Sequence, residues 1–204
     1  MGGTNDNPKA RLRRELSARR RDVTPEDLAR ASSSVCRQIM ATSAFRSARH
    51  VVLYAARPDE IDVVPLEATA QRNGAVTYYP RADGSGFGFH RASRADLAPG
   101  RFGIPEPTRE AAPLDADDPD IVIVIPGVAF DRRGVRLGSG LGFYDRALPA
   151  VPRAWRVGVT LDALLVDRLP VDPWDVPVHL IATESRLLDV DGVGSRAGDP
   201  AWSC

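Results

Sequence analysis

Ile121-Val122-Ile123-Val124-Ile125-Pro126-Gly127-Val128-Ala129-Phe130-Asp131-Arg132-Arg133-Gly134-Val135-Arg136-Leu137-Gly138-Ser139-Gly140-Leu141-Gly142-Phe143-Tyr144-Asp145 is the stretch on which this chain's reading turns. Its first five residues form an unbroken apolar run that reads as a buried central strand. Beyond it, glycines at 138, 140 and 142 let backbone N–H groups come close to an anion, because no Cβ stands in the way. Arg132, Arg133 and Arg136 bring positive charge to the same loop. Tyr144 and Asp145 then open a predicted helix over 142–148, whose N-terminus also favours negative charge. The loop reads as a phosphate cradle with a carboxylate beside it.

Working outward, strands and helices alternate. A helix is predicted from Pro8 to about Arg21, with Leu12 and Leu16 on one face. A second starts at Thr24-Pro25-Glu26-Asp27, where Thr24 can cap and Pro25 suits the first turn, and carries Leu28, Ala31, Val35 and Ile39 at helical spacing. Strands are predicted at His50–Tyr54, Ala75–Tyr79, Phe87–Arg91, Arg156–Thr160 and Leu180–Thr183. A helix over Asp62–Asn73 ends at Gly74, and Asp83-Gly84-Ser85-Gly86 is a turn. Residues 93–119, rich in Pro, Asp and Ala, read as surface loop. The alternation predicts an α/β fold: one domain over 8–188, a mostly parallel twisted sheet with helices on both faces. Residues 1–7 and 189–204 are expected to be disordered tails. In such sheets ligands sit beyond the carboxyl ends of strands, where the glycine loop lies.

Composition narrows the function. The chain has 204 residues, 43% hydrophobic and 26% charged, a globular profile. Basic and acidic residues balance at 27 each, which argues against a nucleic-acid or anionic-membrane partner. Cys36 and Cys204 form no metal-ligand spacing, and a reducing cytoplasm suits them. No signal core or membrane-length run is seen. A soluble cytoplasmic protein is expected, with a monomer favoured.

Among the basic residues Lys9 is the only lysine. In an arginine-rich background it hints that a compact ammonium is wanted, although a chance lysine in a solvated tail is equally open. Lys9-Ala10-Arg11-Leu12-Arg13-Arg14 could be a nucleic-acid arm or a solvated helical face. Alternatively, Lys9 and Arg13, one turn apart, point together at a phosphate chain. The glycine loop is neither a Walker P-loop nor a dinucleotide fingerprint. Asp145 could ligate Mg²⁺, but by position alone a helix N-terminal Asp stabilised by the dipole is favoured. Glu60 sits just past a strand end, where binding residues collect, or belongs to an acidic helix start. Asp172 and Asp175, in a proline-punctuated loop, offer a second carboxylate for a metal or cap turns. His50, His90 and His179 show no ligand or triad spacing.

Several of these segments together resemble one family, 5-formyltetrahydrofolate cyclo-ligase. The match is carried by Pro126-Gly127-Val128-Ala129-Phe130-Asp131 through Gly134, then Arg136-Leu137-Gly138, Gly140, Gly142 and Tyr144-Asp145-Arg146. Lys9 with Leu12-Arg13, Glu60-Ile61-Asp62, Tyr79-Pro80-Arg81, Gly103-Ile104-Pro105-Glu106-Pro107 and Leu169-Pro170-Val171 with Asp175 follow the family's order. The resemblance implies an α/β fold, a reduced folate as substrate, and ATP and Mg²⁺ as requirements. It implies that Lys9 and Arg13 contact ATP and that Lys9 and Arg136 are catalytic. It implies further that Arg136 with Gly138, Ser139, Gly140, Leu141, Gly142, Phe143 and Tyr144 forms the phosphate loop. By the same resemblance Glu60 is expected to bind substrate, with Tyr54, Ala55 and Phe143 in the same pocket. Asp145 is expected to ligate Mg²⁺, with Asp175 as a second carboxylate. The chain departs from the family's pattern at Phe143, where Tyr is common, at Trp174, where His is frequent, and at His179, where Asp is usual. Those departures leave room for a non-catalytic folate- or nucleotide-binding relative.

Overall fold

The computed structural model describes residues 7–83, 86–100 and 103–190, with the side chain of Asp83 excepted. The chain begins with three helices, α1 (Pro8–Arg21), α2 (Pro25–Ala41) and α3 (Ser43–Ser47). Then follow β1 (His50–Val52), α4 (Val64–Arg72), β2 (Val76–Asp83), β3 (Gly86–Arg91), β4 (Ala98–Pro99) and β5 (Pro105–Glu106). The second half carries β6 (Ile121–Pro126), β7 (Ala129–Asp131), β8 (Arg136–Leu137), α5 (Phe143–Ala147), β9 (Trp155–Val159), β10 (Leu165–Val166), β11 (Leu180–Ala182) and β12 (Leu187–Asp189).

Seven strands form the main sheet, ordered β12-β11-β9-β6-β1-β2-β3. The five from β11 to β2 run parallel; β3 and β12 close the two edges antiparallel. The apolar run is β6 at the centre, paired with β1 through Val51↔Val122 and with β9 through Val124↔Val157. Its period of two sorts its residues between two cores. Val122 and Val124 pack with Leu16 of α1, Val35 and Ile39 of α2 and Leu66 of α4. Ile121, Ile123 and Ile125 pack with Phe130, Tyr144, Leu148 and Ile181. Both faces are dry, so the strand needs no polar alternation.

The cover is uneven. α1, α2 and α4 contribute to the first core, whereas among the described residues the second is covered by one α-helix, the five-residue α5. α5 stops earlier than the 142–148 pattern predicts, because Pro149 cannot continue the helix and the chain tightens into a 3₁₀ turn, Leu148–Ala150. α4 begins at Val64 rather than Asp62. Pro65 suits its first turn, and Asp62 Oδ1 accepts the Val64 N–H from outside the helix at 3.0 Å. β2 runs on past Tyr79 through Pro80. β1 pairs only with Val76–Tyr78, so the missing Pro80 N–H breaks no bond to β1. Within 93–119, expected to be loop, β4 and β5 form a small antiparallel pair.

Leu187–Asp189 continues the domain one strand beyond Thr183, and Val190 is buried. Asn7 accepts the Lys9 N–H and caps α1. The rest of the expected tails, 1–6 and 191–204, lies outside the described residues, as does the centre of the turn at 84–85. No helix among the described residues is long and apolar enough to cross a membrane.

Topology locates the site. β1 leads to β2 on one side, whereas β6 leads to β9 on the other, so the order reverses between β1 and β6. Their carboxyl ends lie side by side and open a crevice there. The segment after β1 begins with Leu53, Tyr54 and Ala55. The one after β6 leads through β7 and β8, an antiparallel pair, into the glycine loop.

Candidate active site

A cleft of ≈ 300 Å³ opens above that reversal point. Each residue nominated from the sequence lines it: Lys9 and Arg13 from α1, Tyr54, Ala55 and Glu60 after β1, Arg136 on β8, Gly138 to Asp145 of the glycine loop, and Asp175. Arg20 joins them from α1, Asp172 and Trp174 from the turn of Asp175, and Phe87 from β3.

α1 faces the glycine loop directly. Arg13 Nε donates to the carbonyl of Gly138 at 2.7 Å. Gly140 has φ 104° and Gly142 φ 63°, conformations that L side chains rarely adopt, so the loop's path requires glycine at both. Gly142 precedes α5 without a side-chain cap. A five-residue helix contributes little dipole, so attraction for an anion here rests on the cations and the loop's N–H groups rather than on the expected helix terminus.

Lys9 and Arg136 are each paired with carboxylates of the cleft. Lys9 Nζ donates to Asp172 Oδ2 at 2.7 Å and to Asp175 Oδ2 at 2.5 Å. Burial by itself lowers the Lys9 pKa, but the bonds to Asp172 and Asp175 outweigh it and raise the pKa above 10.5, so the ammonium stays charged. Asp175 Oδ2 also accepts the Asp172 N–H at 2.8 Å, fixing the turn that presents both carboxylates. Across the cleft, Arg136 Nη2 donates to Asp145 Oδ1 at 2.8 Å, and the guanidinium lies 5.3 Å from the Tyr144 ring centroid.

Tyr54 is buried, and its hydroxyl donates to the carbonyl of Ile61 at 2.5 Å. The Tyr144 hydroxyl is also buried, with no hydrogen-bond partner among the described residues. Burial pushes its pKa up, against the pull of nearby Arg136, so it is an uncharged donor. Phe143 stacks edge-on against Phe87, ring centroids 4.7 Å apart, and joins the strand hairpin to the loop. Trp174 stands 65% exposed at the mouth.

Asp131 fastens the two walls. It is 0% exposed; Oδ1 accepts from the N–H groups of Arg133 and Val135 at 2.9 and 3.1 Å, and Oδ2 from Leu169 N at 3.0 Å and Arg133 Nη2 at 2.6 Å. Val135 leads into Arg136, and Leu169 into the Asp172–Asp175 turn. His179 is not part of the cleft: its Nδ1 accepts the Arg156 N–H at 3.0 Å at the far end of β9. Its departure from the family's pattern therefore leaves the acidic turn intact.

Sequence reasoning misses the roles of Asp131 and Arg20 and the bond from Lys9 to Asp172. Arg20 lies seven residues after Arg13, on the same helical face, but the run Arg19-Arg20-Arg21 hides it. Among the described residues no three His, Cys, Asp or Glu side chains converge as a ready metal centre. Asp145 and the Asp172–Asp175 turn are hard oxygen donors suited to Mg²⁺ only in company with phosphate oxygens and water.

With that geometry in hand, comparison with known proteins is specific. Residues 5–184 match the model of the 5-formyltetrahydrofolate cyclo-ligase family. The chain is 32% identical over 185 residues to 5-formyltetrahydrofolate cyclo-ligase of Escherichia coli, covering 84% of this chain and 98% of that one. It is 32% identical over 187 residues to the Mycolicibacterium smegmatis protein of the same name, covering 87% and 94%. The solution structure of Aquifex aeolicus 5,10-methenyltetrahydrofolate synthetase superposes with a TM-score of 0.79 at 33% identity, covering 92% and 95%. The cradle, its cations and its acidic turn are thus set in a chain that, matched over nearly its whole length, belongs to the 5-formyltetrahydrofolate cyclo-ligase family.

Proposed function

We propose that the cleft cyclises 5-formyltetrahydrofolate to 5,10-methenyltetrahydrofolate at the expense of ATP, releasing ADP and phosphate. The observation that supports this is convergence: cations from α1, the glycine loop, an acidic turn and Glu60 share one cleft although they come from distant parts of the chain.

The chemistry asks little of any nucleophilic side chain. The formyl oxygen on N5 is a poor leaving group until it takes the γ-phosphoryl group, with ADP departing. N10 then attacks the formyl carbon and loses its proton, and phosphate leaves, closing the five-membered ring. Such transfer rests on positioning and charge neutralisation. Lys9 and Arg136 neutralise the phosphate chain, Arg13 holds the loop by Gly138, and the backbone from Gly138 to Tyr144 lies along the phosphates. Glu60 accepts from the adjacent N–H donors of the pterin ring, and Tyr54, Ala55 and Phe143 wall that end. Holding the formyl group beside N10 contributes further through proximity.

Asp145 and Asp175 would hold Mg²⁺ against the phosphates, where the ion supplies further charge neutralisation. Both carboxylates already face cations, Arg136 and Lys9. An incoming triphosphate takes those cations over and leaves the carboxylates free. The enzyme acts as a cytoplasmic monomer in this reading. Purified protein given ATP, Mg²⁺ and 5-formyltetrahydrofolate raises the near-ultraviolet absorbance of the methenyl product, with one ADP per product. Folded protein that binds both ligands without turnover would instead make the chain a non-catalytic relative.

A further inference from the structure

α1 turns three cations toward the cleft, at intervals of four and seven residues, which place them on one helical face. Lys9 reaches the acidic turn and Arg13 the glycine loop. Arg20 reaches a different wall. Its Nε and Nη2 donate to the same oxygen of Asp59, Oδ2, at 2.9 and 2.7 Å. Its Nη1 stands 3.7 Å from Oε1 of Glu60, a charge contact rather than a hydrogen bond. Arg20 is 8% exposed, and a guanidinium that buried needs a partner, which Asp59 supplies. The other Glu60 oxygen, Oε2, accepts the Arg57 N–H at 3.1 Å.

The division of labour matters. The turn Arg57–Glu60 joins β1 to α4, and a helix outside it pins it through Asp59. Glu60 is steered by Arg20 from one side and by a backbone amide from the other, yet its Oε1 keeps its hydrogen-bonding capacity. We propose that Arg20 is the positioning residue of the folate end: it holds Glu60 in the orientation that receives the pterin while Asp59 takes up the guanidinium's own hydrogen bonds. This rests on the cyclo-ligase reading and adds to it a residue placed in neither the phosphate loop nor the metal site. It also makes α1 a shared rail, with Lys9 and Arg13 at the nucleotide end and Arg20 at the folate end.

The test compares the unsubstituted enzyme with Arg20→Gln, Arg20→Lys and Asp59→Asn, measuring kcat, both KM values and the thermal midpoint. Arg20→Gln should raise the KM for 5-formyltetrahydrofolate about 10- to 100-fold, the range of one charge-assisted interaction. The KM for ATP and kcat should stay within about threefold, since Lys9 and Arg13 are untouched. Arg20→Lys should recover part of the loss. Asp59→Asn should raise the folate KM in the same selective way, because the freed guanidinium then closes on Glu60 and occupies Oε1. If Arg20→Gln does not fold, Asp59→Asn decides between the two roles. Parallel rises in both KM values with a lowered midpoint would mean that Arg20 merely docks α1, and would overturn the proposal. So would an unchanged folate KM in both Arg20→Gln and Asp59→Asn. An unsubstituted enzyme without turnover would count against the cyclo-ligase reading itself, a different failure from active enzyme indifferent to Arg20.

Discussion

Asp131→Asn is the substitution whose cost the structure lets one work out most fully. The native carboxylate is fully buried, with both oxygens occupied: Oδ1 serves two backbone N–H groups, Oδ2 a third and the Arg133 guanidinium. Asn keeps one oxygen and presents an NH₂ group where Leu169 N–H and Arg133 already donate. The variant therefore loses a charge-assisted pair and leaves at least one buried N–H without an acceptor. One-sided removal of a buried charged pair costs about 3–5 kcal/mol. Arg133 is 41% exposed, so water recovers part of its share and the lower end of that range is expected. At this chain length each kcal/mol moves the midpoint about 2–4 °C, so the variant should melt roughly 10 °C lower. Activity should fall beyond what the unfolded fraction explains, because Asp131 ties the wall carrying Arg136 to the wall carrying Asp172 and Asp175. The assay pairs a urea or thermal melt with turnover measured well below the midpoint. A midpoint within about 2 °C of the unsubstituted protein, with full turnover, would refute the reasoning.

Three further outcomes follow from the same geometry. Lys9→Ala should raise the KM for ATP about 10- to 100-fold, as removal of one charged contact to phosphate does, and should lower the melting midpoint by several degrees, because the buried Asp175 carboxylate loses its cation; a thermal melt, and steady-state kinetics at saturating folate well below the midpoint, check it. His179 has its pKa lowered to about 4, by burial first and then by the charge of Arg156. Because the folded state resists protonation that the unfolded chain accepts, stability should fall as pH drops from about 6.5 towards 4, by roughly 1–3 kcal/mol. Urea titrations across that window should show the slope shrink in His179→Gln. Trp174, exposed at the mouth of the cleft, should change its fluorescence when nucleotide and folate bind; Trp174→Phe should abolish that change while leaving the melting midpoint in place.

How far the sequence reaches follows from which forces are local. β6 is legible because a strand dry on both faces must be apolar at every position, and α2 because Thr24 announces its own cap by accepting the Asp27 N–H at 3.1 Å. The glycine loop is legible because backbone approach to an anion excludes Cβ atoms. The small sheet β10-β7-β8 is not, since strands of two or three residues carry no period. β12 is hidden for the same reason, as its three residues gain their place only by pairing back onto β11. The partners of Lys9 lie more than 160 residues away, at Asp172 and Asp175, and no local spacing announces that meeting. Arg20 is lost among arginines because a buried guanidinium and a solvated one look alike until Asp59 and Glu60 are placed beside it.

The most direct test is a crystal structure of the protein soaked with a non-hydrolysable ATP analogue, Mg²⁺ and 5-formyltetrahydrofolate. It should show the triphosphate along Gly138–Gly142 between Lys9 and Arg136, and the pterin against Glu60 with its formyl oxygen turned to the γ-phosphate. Nucleotide bound away from that loop, or folate seated outside the cleft, would contradict the proposed chemistry.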